Sequence, residues 1–266
     1  MTTRSLVAAT WVTRTVGWLA VPVCVILLLA FAGPAPAAEL KILSGNGAKA
    51  AVTALAAEFE RMTGHRVVVH FEVNPAVRRR VEGGESFDVA VLNPPVLDAL
   101  IHQGLIVADT RGAIGRAGIG VGIRAGTARP DLTSVEAFKR TLLAANAVAY
   151  PGEGASGIYF AGLVERLGIG PSMKPKMRPM PAEYNVEVVA SGAADLVVMV
   201  ASRISGVSGV ELAGLIPQEL QTWIGFAAGV AKASHEPALA RQLVRFFTSA
   251  HAAPIIRAAG VEPANP

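Results

Sequence analysis

From residue 39 onward, short apolar runs alternate with segments whose apolar residues recur at helical spacing. ELKIL (39–43), VVVHF (67–71) and DVAVL (88–92) read as strands. Each is followed by a helical pattern: Ala48 to Met62, with Val52, Leu55, Phe59 and Met62 on one stripe, then Ala76 to Glu82, then Pro95 to His102. Gly64 and Gly104 close two of these segments, as helix stops do. Strand–helix–strand repetition at this spacing predicts an α/β fold with parallel units and right-handed crossovers.

A second series follows RGAIGRAG. IGVGI (119–123) is a strand, and a helix starts near Thr133, where Thr133 and Glu136 have capping-box spacing. AVAY (147–150) and LVVMV (196–200) are strands, the latter apolar throughout, as expected of a strand buried on both faces. WIGFAAGVA (223–231) is extended, and Pro237–Ser249 and Ala252–Ala259 are helical. The stretches 119–126 and 222–231 read as crossings between two lobes. Residues 38–120 with 222–266 then form lobe 1, and 121–221 form lobe 2.

The N-terminal segment is of another kind. Arg4 and Arg14 precede an apolar run from Val16 to Phe31, and Ala35-Pro36-Ala37 has the small-x-small pattern of a signal-peptidase site. Residues 1–37 are therefore read as a cleavable signal peptide, which directs the chain to the periplasm. Its removal takes Arg4 and Arg14 from the 24 basic residues and leaves the 20 acidic ones, so the net charge falls from +4 to +2. That balance is not the footprint of a nucleic-acid binder. The single cysteine, Cys24, leaves with the signal, which excludes disulfides, thiol catalysis and cysteine metal sites from what remains.

In an open α/β sheet, ligands gather beyond the carboxyl ends of the strands. The loops there read SGNGA (44–48), EVNPA (72–76), LNPP (92–95), PGEGASG (151–157) and VASRIS (200–205). They are rich in Gly, Asn and Ser, and three of them open a helix. Helix N-termini present unpaired N–H groups that suit an anion, although the same residue types also serve ordinary turns and caps. The candidate ligand-binding residues are Ser44, Gly45, Asn46 and Gly47 in the first loop, Val73 and Asn74 in the second, and Asn93 in the third. Ala155, Ser156 and Gly157 supply the glycine-rich loop, and Ser202 the last. Arg78, one turn beyond EVNP, and Tyr159, in the first turn after GASG, are further candidates for an anionic ligand. The five histidines show no metal-binding spacing, and no P-loop is present.

Several of these segments resemble a known family. ILSGNGAKAAVTALAAEFERMTGHRV, FDVAVLNPPVLDALIHQGLI and AYPGEGASGIYFAGLVERLGI look like the periplasmic molybdate-binding protein family, and more narrowly a branch of molybdate-binding-like solute receptors. GVELAGLIPQELQTWIGFAAGVAKAS, continuing to FFTSAHAAPIIRAAGVEP, is similar to that branch's C-terminal part. The resemblance spans residues 39–263. It implies a type II periplasmic-binding-protein fold, two lobes joined by a hinge, and a monomer that delivers a small anionic solute to the membrane subunits of an ABC importer. It implies binding without catalysis, and no cofactor or metal. Family molybdate receptors hold their oxyanion with serine hydroxyls, backbone amides and a tyrosine. Here the first loop lacks the usual serine at its helix entry. The second loop carries Val73-Asn74-Pro75-Ala76 where serine and glycine are usual, and Pro75 removes an amide donor. The solute implied is a molybdate- or tungstate-like oxyanion or a small organic carboxylate. An enzyme or a ligand sensor on the same scaffold is the alternative.

Overall fold

A computed structural model describes residues 37–181 and 186–265. The signal-peptide reading, up to residue 36, lies outside the described residues. Among those described, no helix is long and apolar enough to cross a membrane.

Strands β1 (Glu39–Gly45), β2 (Arg66–Glu72) and β3 (Val89–Leu92) are parallel neighbours in the order β2-β1-β3. They are linked by helices α1 (Lys49–Thr63) and α2 (Asn74–Glu82), and α3 (Pro94–His102) follows β3. Strand β4 (Gly112–Arg124) is thirteen residues long and does two things. Its first half pairs antiparallel with β9 (Trp223–Val230), which in turn pairs antiparallel with β3. Its second half pairs antiparallel with β7 (Leu196–Val200) and β8 (Val210–Leu215). Strands β7, β5 (Val148–Pro151) and β6 (Met177–Met180) continue in parallel from there. Short β10 (Glu262–Pro263) lies on the start of β4.

Alternation along each strand places apolar side chains on both faces. In the first set, Leu40, Ile42, Val89 and Val91 face α1, α7 (Pro237–Phe247) and α8 (Ala253–Ala258) in a core that includes Phe59, Leu243 and Phe247. Leu43, Ala90 and Leu92 face α2 and α3 through Val77, Val81, Leu97 and Leu100. In the second set, Ile119, Val121, Val148 and Val198 pack on α4 (Val135–Ala144), α5 (Ala155–Arg166) and the short α6 (Gly170–Met173). A fourth cluster on the other face gathers Ala149, Val197, Met199, Val186, Val189 and Ile204.

Several sequence expectations are refined. RGAIGRAG is not a linker: residues 112–118 are the first half of β4. Its small residues hide a strand because partners press close, and a side chain at Gly115 would meet the Glu262 carbonyl. Strands β6 and β8 escape the periodicity because both are short and neither alternates clearly. Helix α4 is capped by Ser134, whose hydroxyl accepts from the Ala137 N–H at 3.2 Å. Thr133 is instead turned to Asp131, one oxygen of which accepts from both its N–H and its hydroxyl.

Two sites fix the cleft loops from behind. Gly157, inside the first turn of α5, lies so close to the end of β5 that a Cβ there would run into the Pro151 carbonyl oxygen. Backbone, not a flexible side chain, is the obstacle. Gly157→Ala should therefore cost about 3 kcal/mol, at the upper end of overpacking effects, read as a fall in the urea midpoint.

Behind α2, Arg80 bonds Glu72 and Glu85, and Lys41 bonds Glu85 at 2.8 Å. The Arg80 hydrogen bond, then that of Lys41, pushes the Glu85 carboxyl down from its ordinary 4.5 to about 2. A depressed carboxyl stabilises the fold above its unfolded pKa, and that contribution disappears as pH falls from about 4.5 toward 2. With the side chain 27% exposed, screening reduces it to about 1–2 kcal/mol. Glu85→Gln should lower stability by that amount at pH 7, and its deficit relative to the unaltered protein should shrink at pH 3 in denaturant titrations.

Candidate functional site

The ends of β1, β2, β3 and β5, the end of β7 and the start of β9 converge on one small cavity. Asn46, Gly47, Val73, Asn74, Asn93, Gly154, Ala155, Ser156, Val200 and Ile224 line it. Its volume is about 20 Å³, enough for roughly one water molecule.

A side-chain amide network forms one wall. The Asn74 amide nitrogen donates to the Asn93 side-chain oxygen at 2.7 Å, and the Asn93 backbone N–H donates back to the Asn74 oxygen at 3.0 Å. The Asn93 amide nitrogen donates to the Gly225 carbonyl at 2.8 Å. The N-terminal ends of α2 and α3 are thus tied to each other and to β9. Glycine at 45 is required because its α-carbon faces the Asn74 amide, with a Cβ position 3.0 Å from the amide nitrogen. Both helices also begin with proline, Asn74-Pro75 and Pro94-Pro95, so their first turns have fewer N–H groups to offer.

The opposite wall differs. In α5 the Gly157 and Ile158 N–H groups donate to the Gly154 carbonyl at 3.0 and 2.9 Å. The N–H groups of Ala155 and Ser156 are left without an acceptor inside the helix. The Ser156 hydroxyl has no hydrogen-bond partner among the described residues, although the residue is only 5% exposed and lines the cavity. The Ser156 hydroxyl and the two amides therefore present hydrogen-bond donors on this wall.

Contacts cross the cavity. The Ser202 hydroxyl donates to the Gly47 carbonyl at 3.0 Å, linking the loop after β7 to the loop after β1. Val73 packs in the cluster formed by Val186, Val197 and Met199, and Val200 packs in the core of the first set. The two sides are therefore in direct apposition.

Of the residues singled out in the sequence, Asn46, Gly47, Val73, Asn74, Asn93, Ala155 and Ser156 come together on the cavity wall. Ser202 is the cross-cavity donor. Ser44 is fully buried, and its hydroxyl donates to the Gly45 carbonyl at 3.2 Å. Gly157 is a packing glycine behind the wall. Tyr159 does not face the cavity: its hydroxyl donates to the Leu220 carbonyl at 2.6 Å, and the Arg166 guanidinium covers its ring. Arg78 lies outside the lining, where it pairs with Glu82 one helical turn away at 2.8 Å. Gly154, in the glycine-rich loop that the sequence points to, joins the lining residues on the wall. Sequence reasoning did not single out Val200 and Ile224, apolar strand residues that only the fold brings to the site. Among the described residues, no group of histidine, cysteine or acidic side chains could hold a metal ion.

The strand order, the double role of β4 and the cleft at the strand ends define a type II periplasmic-binding-protein fold, with two α/β lobes and two crossings. Residues 40–262 match the sequence profile of bacterial extracellular solute-binding proteins, and the chain belongs to that family. It is similar to the periplasmic molybdate-binding protein of Azotobacter vinelandii, with 21% identity and a TM-score of 0.70 over 84% of this chain and 98% of that one. It is also similar to the substrate-binding domain of a molybdenum ABC transporter from Clostridium difficile, with 17% identity and a TM-score of 0.66 over 85% and 99% of the two chains. An aconitate isomerase from a Pseudomonas species is 30% identical over 234 residues, which is 86% of this chain and 89% of that protein. The last likeness corrects one expectation. Binding without catalysis was implied by the resemblance to molybdate receptors, but the relative at 30% identity carries the name of an enzyme.

The Ser202–Gly47 hydrogen bond gives a test of the apposed geometry. Ser202→Ala should cost about 1 kcal/mol, a fall of roughly 2–4 °C in Tm for a chain of this size. Amide hydrogen exchange should accelerate in residues 46–48 and 201–203 but not in β1 or β3.

Proposed function

We propose that this chain is an isomerase of a small unsaturated polycarboxylic acid of the aconitate kind, working on a solute-binding scaffold outside the cytoplasm after loss of residues 1–37. The observation that carries the reading is the 30% identity, across nearly the whole chain, to a protein named aconitate isomerase. The likenesses to molybdate proteins lie at 21% identity or below and support the fold alone. Transport on behalf of an ABC importer is the reading that those likenesses would favour.

The donor set supports a planar carboxylate rather than a tetrahedral oxyanion. A tetrahedral anion buried between lobes needs donors around its whole surface. Here Asn74 and Asn93 are committed to each other and to Gly225, and the prolines thin the amides of α2 and α3. Among the donors that face the cavity are the Ala155 and Ser156 N–H groups and the Ser156 hydroxyl, a set that matches one carboxylate with two oxygens in a plane.

Aconitate is propene-1,2,3-tricarboxylate. Removing a proton from its methylene carbon gives an allylic anion delocalised into the carboxylates. Returning the proton to the other terminal carbon restores the same skeleton with the double bond relocated and its geometry open to change. No oxidant, reductant or water is consumed. What the protein must supply is a grip on the carboxylates, donors where charge develops, and one group that holds the proton in transit.

The cavity of about 20 Å³ is far smaller than a tricarboxylic acid. Substrate entry then requires residues 38–120 with 222–266, as one lobe, to separate from 121–221, breaking the Ser202–Gly47 bond. Closure over the substrate follows the hinge behaviour of two-lobed binders.

The purified chain, incubated with cis- or trans-aconitate and followed by proton NMR, should drive both to one equilibrium mixture. Calorimetry should detect aconitate binding and no molybdate binding. Unchanged isomers together with tight molybdate binding would sink the proposal and restore the transport reading.

A further inference from the structure

We propose that Glu153 is the base that carries the proton between the two terminal carbons of the substrate. The inference rests on the isomerase reading above. It begins from a deficit in the cavity wall: every polar side chain there is an amide or a hydroxyl, and neither type holds a proton abstracted from carbon at neutral pH. The base must therefore come from the residues bordering the wall, and among the immediate chain neighbours of the lining residues the side chains of a proton-carrying type are carboxylates.

Two carboxylates are immediate chain neighbours of lining residues. Glu72 precedes Val73, but it is bound by Arg80. Glu153 precedes Gly154 and makes neither an ion pair nor a hydrogen bond among the described residues. Farther off, Asp88 is occupied by the Lys41 N–H at 2.8 Å and the Ser234 hydroxyl at 2.6 Å. Glu82 is occupied by Arg78 and Gln103. His65 accepts from the Ala38 N–H at 3.1 Å, at the opposite end of β1 from the cavity.

Glu153 also stands on a fixed stretch of backbone next to the wall. The Gly152 N–H donates to the Met180 carbonyl at 3.0 Å, and the Gly154 carbonyl receives the first N–H groups of α5, so the backbone is pinned on both sides. Its α-carbon is about 3.8 Å from that of Gly154, a cavity residue. The side chain is exposed, with three rotatable bonds and no competing partner. The adjacent Ala155 and Ser156 amides would hold a substrate carboxylate within reach of it. In the step, a methylene C–H bond breaks as a Glu153 O–H bond forms, and the electron pair spreads over the allylic system. The O–H bond then breaks as a C–H bond forms at the other terminal carbon.

The test compares the full chain with Glu153→Gln and Glu153→Asp, measuring aconitate isomerisation by NMR in H₂O and D₂O and aconitate affinity by calorimetry. Glu153→Gln should lower kcat by about 10²–10⁴-fold, abolish deuterium uptake at the terminal carbons, and change the affinity by no more than a few-fold. Glu153→Asp should recover part of kcat. Near-normal kcat in Glu153→Gln, or a raised KM with kcat unchanged, overturns the assignment and leaves the isomerase reading standing. An unaltered protein that neither isomerises aconitate nor exchanges its protons removes both.

Discussion

Strand β4 holds the molecule together, because it belongs to both halves of the sheet. Residues 112–118 ladder with β9, and residues 119–124 ladder with β7 and β8. At the change of partners, the Gln221 side chain takes the place of a neighbouring strand. Its oxygen accepts from the Ile119 N–H at 2.8 Å, and its amide donates to the Ile119 carbonyl at 3.0 Å. Residue 119 is thereby clasped to the second crossing, just before β9 begins. The Ile119 carbonyl also accepts from the Ile216 N–H at 3.0 Å, so the Ile119 N–H is the group that depends on Gln221, and leaving it unsatisfied would cost about 1–3 kcal/mol. A side-chain clasp satisfies that group while fixing only one residue of the return segment.

The same economy appears in the cleft. The Asn74–Asn93–Gly225 network aligns two helix ends and the return strand β9 with three hydrogen bonds, so the first lobe's face of the cleft is set by side-chain amides that point at one another. The second lobe's face, at the start of α5, keeps its donors unspent. The polar groups of the cavity are consequently lopsided: one wall is satisfied by its own side chains, and the other keeps donors facing the cavity.

The sequence made the parallel units readable because each strand in the first half is a short apolar run, buried on both faces in β1 and β3, and is followed at once by an amphipathic helix. It also located the cleft loops, since Gly, Asn and Ser cluster where strands end. It failed where a side chain has a better partner than the cleft. Arg78 and Tyr159 each lie about one turn into a helix that starts at the cleft, yet each is bonded elsewhere. Glu82, four residues on, claims Arg78, and the Leu220 carbonyl, sixty-one residues on, claims the Tyr159 hydroxyl. Position in a first helical turn does not determine which way a long side chain leaves it. Residues 112–118 were hidden for the opposite reason. Their glycines are small because Val261, Glu262 and Thr248 press on them, and smallness imitates a linker. The proposed catalysis was least legible of all, because a proton shift along a carbon skeleton calls for no metal spacing and no nucleophile triad, only one carboxylate at the right place, and one carboxylate leaves no motif.

A solute-binding scaffold is a short step from such chemistry. A receptor that closes on a polycarboxylate already desolvates it and already surrounds its oxygens with oriented dipoles. The allylic anion formed by proton loss carries its extra charge on those same oxygens. Donors that bind the ground state therefore bind the anion more strongly, since hydrogen bonds tighten as the acceptor gains charge, and this differential is what accelerates a reaction. In a loop where Gly152 and Gly154 flank Glu153, the carboxylate can turn toward the cleft at little conformational cost, because neither neighbour has a side chain to obstruct it. Binding and isomerisation then share one set of amides, and the difference between a receptor and an enzyme reduces to whether a base can reach the held substrate before the cleft reopens.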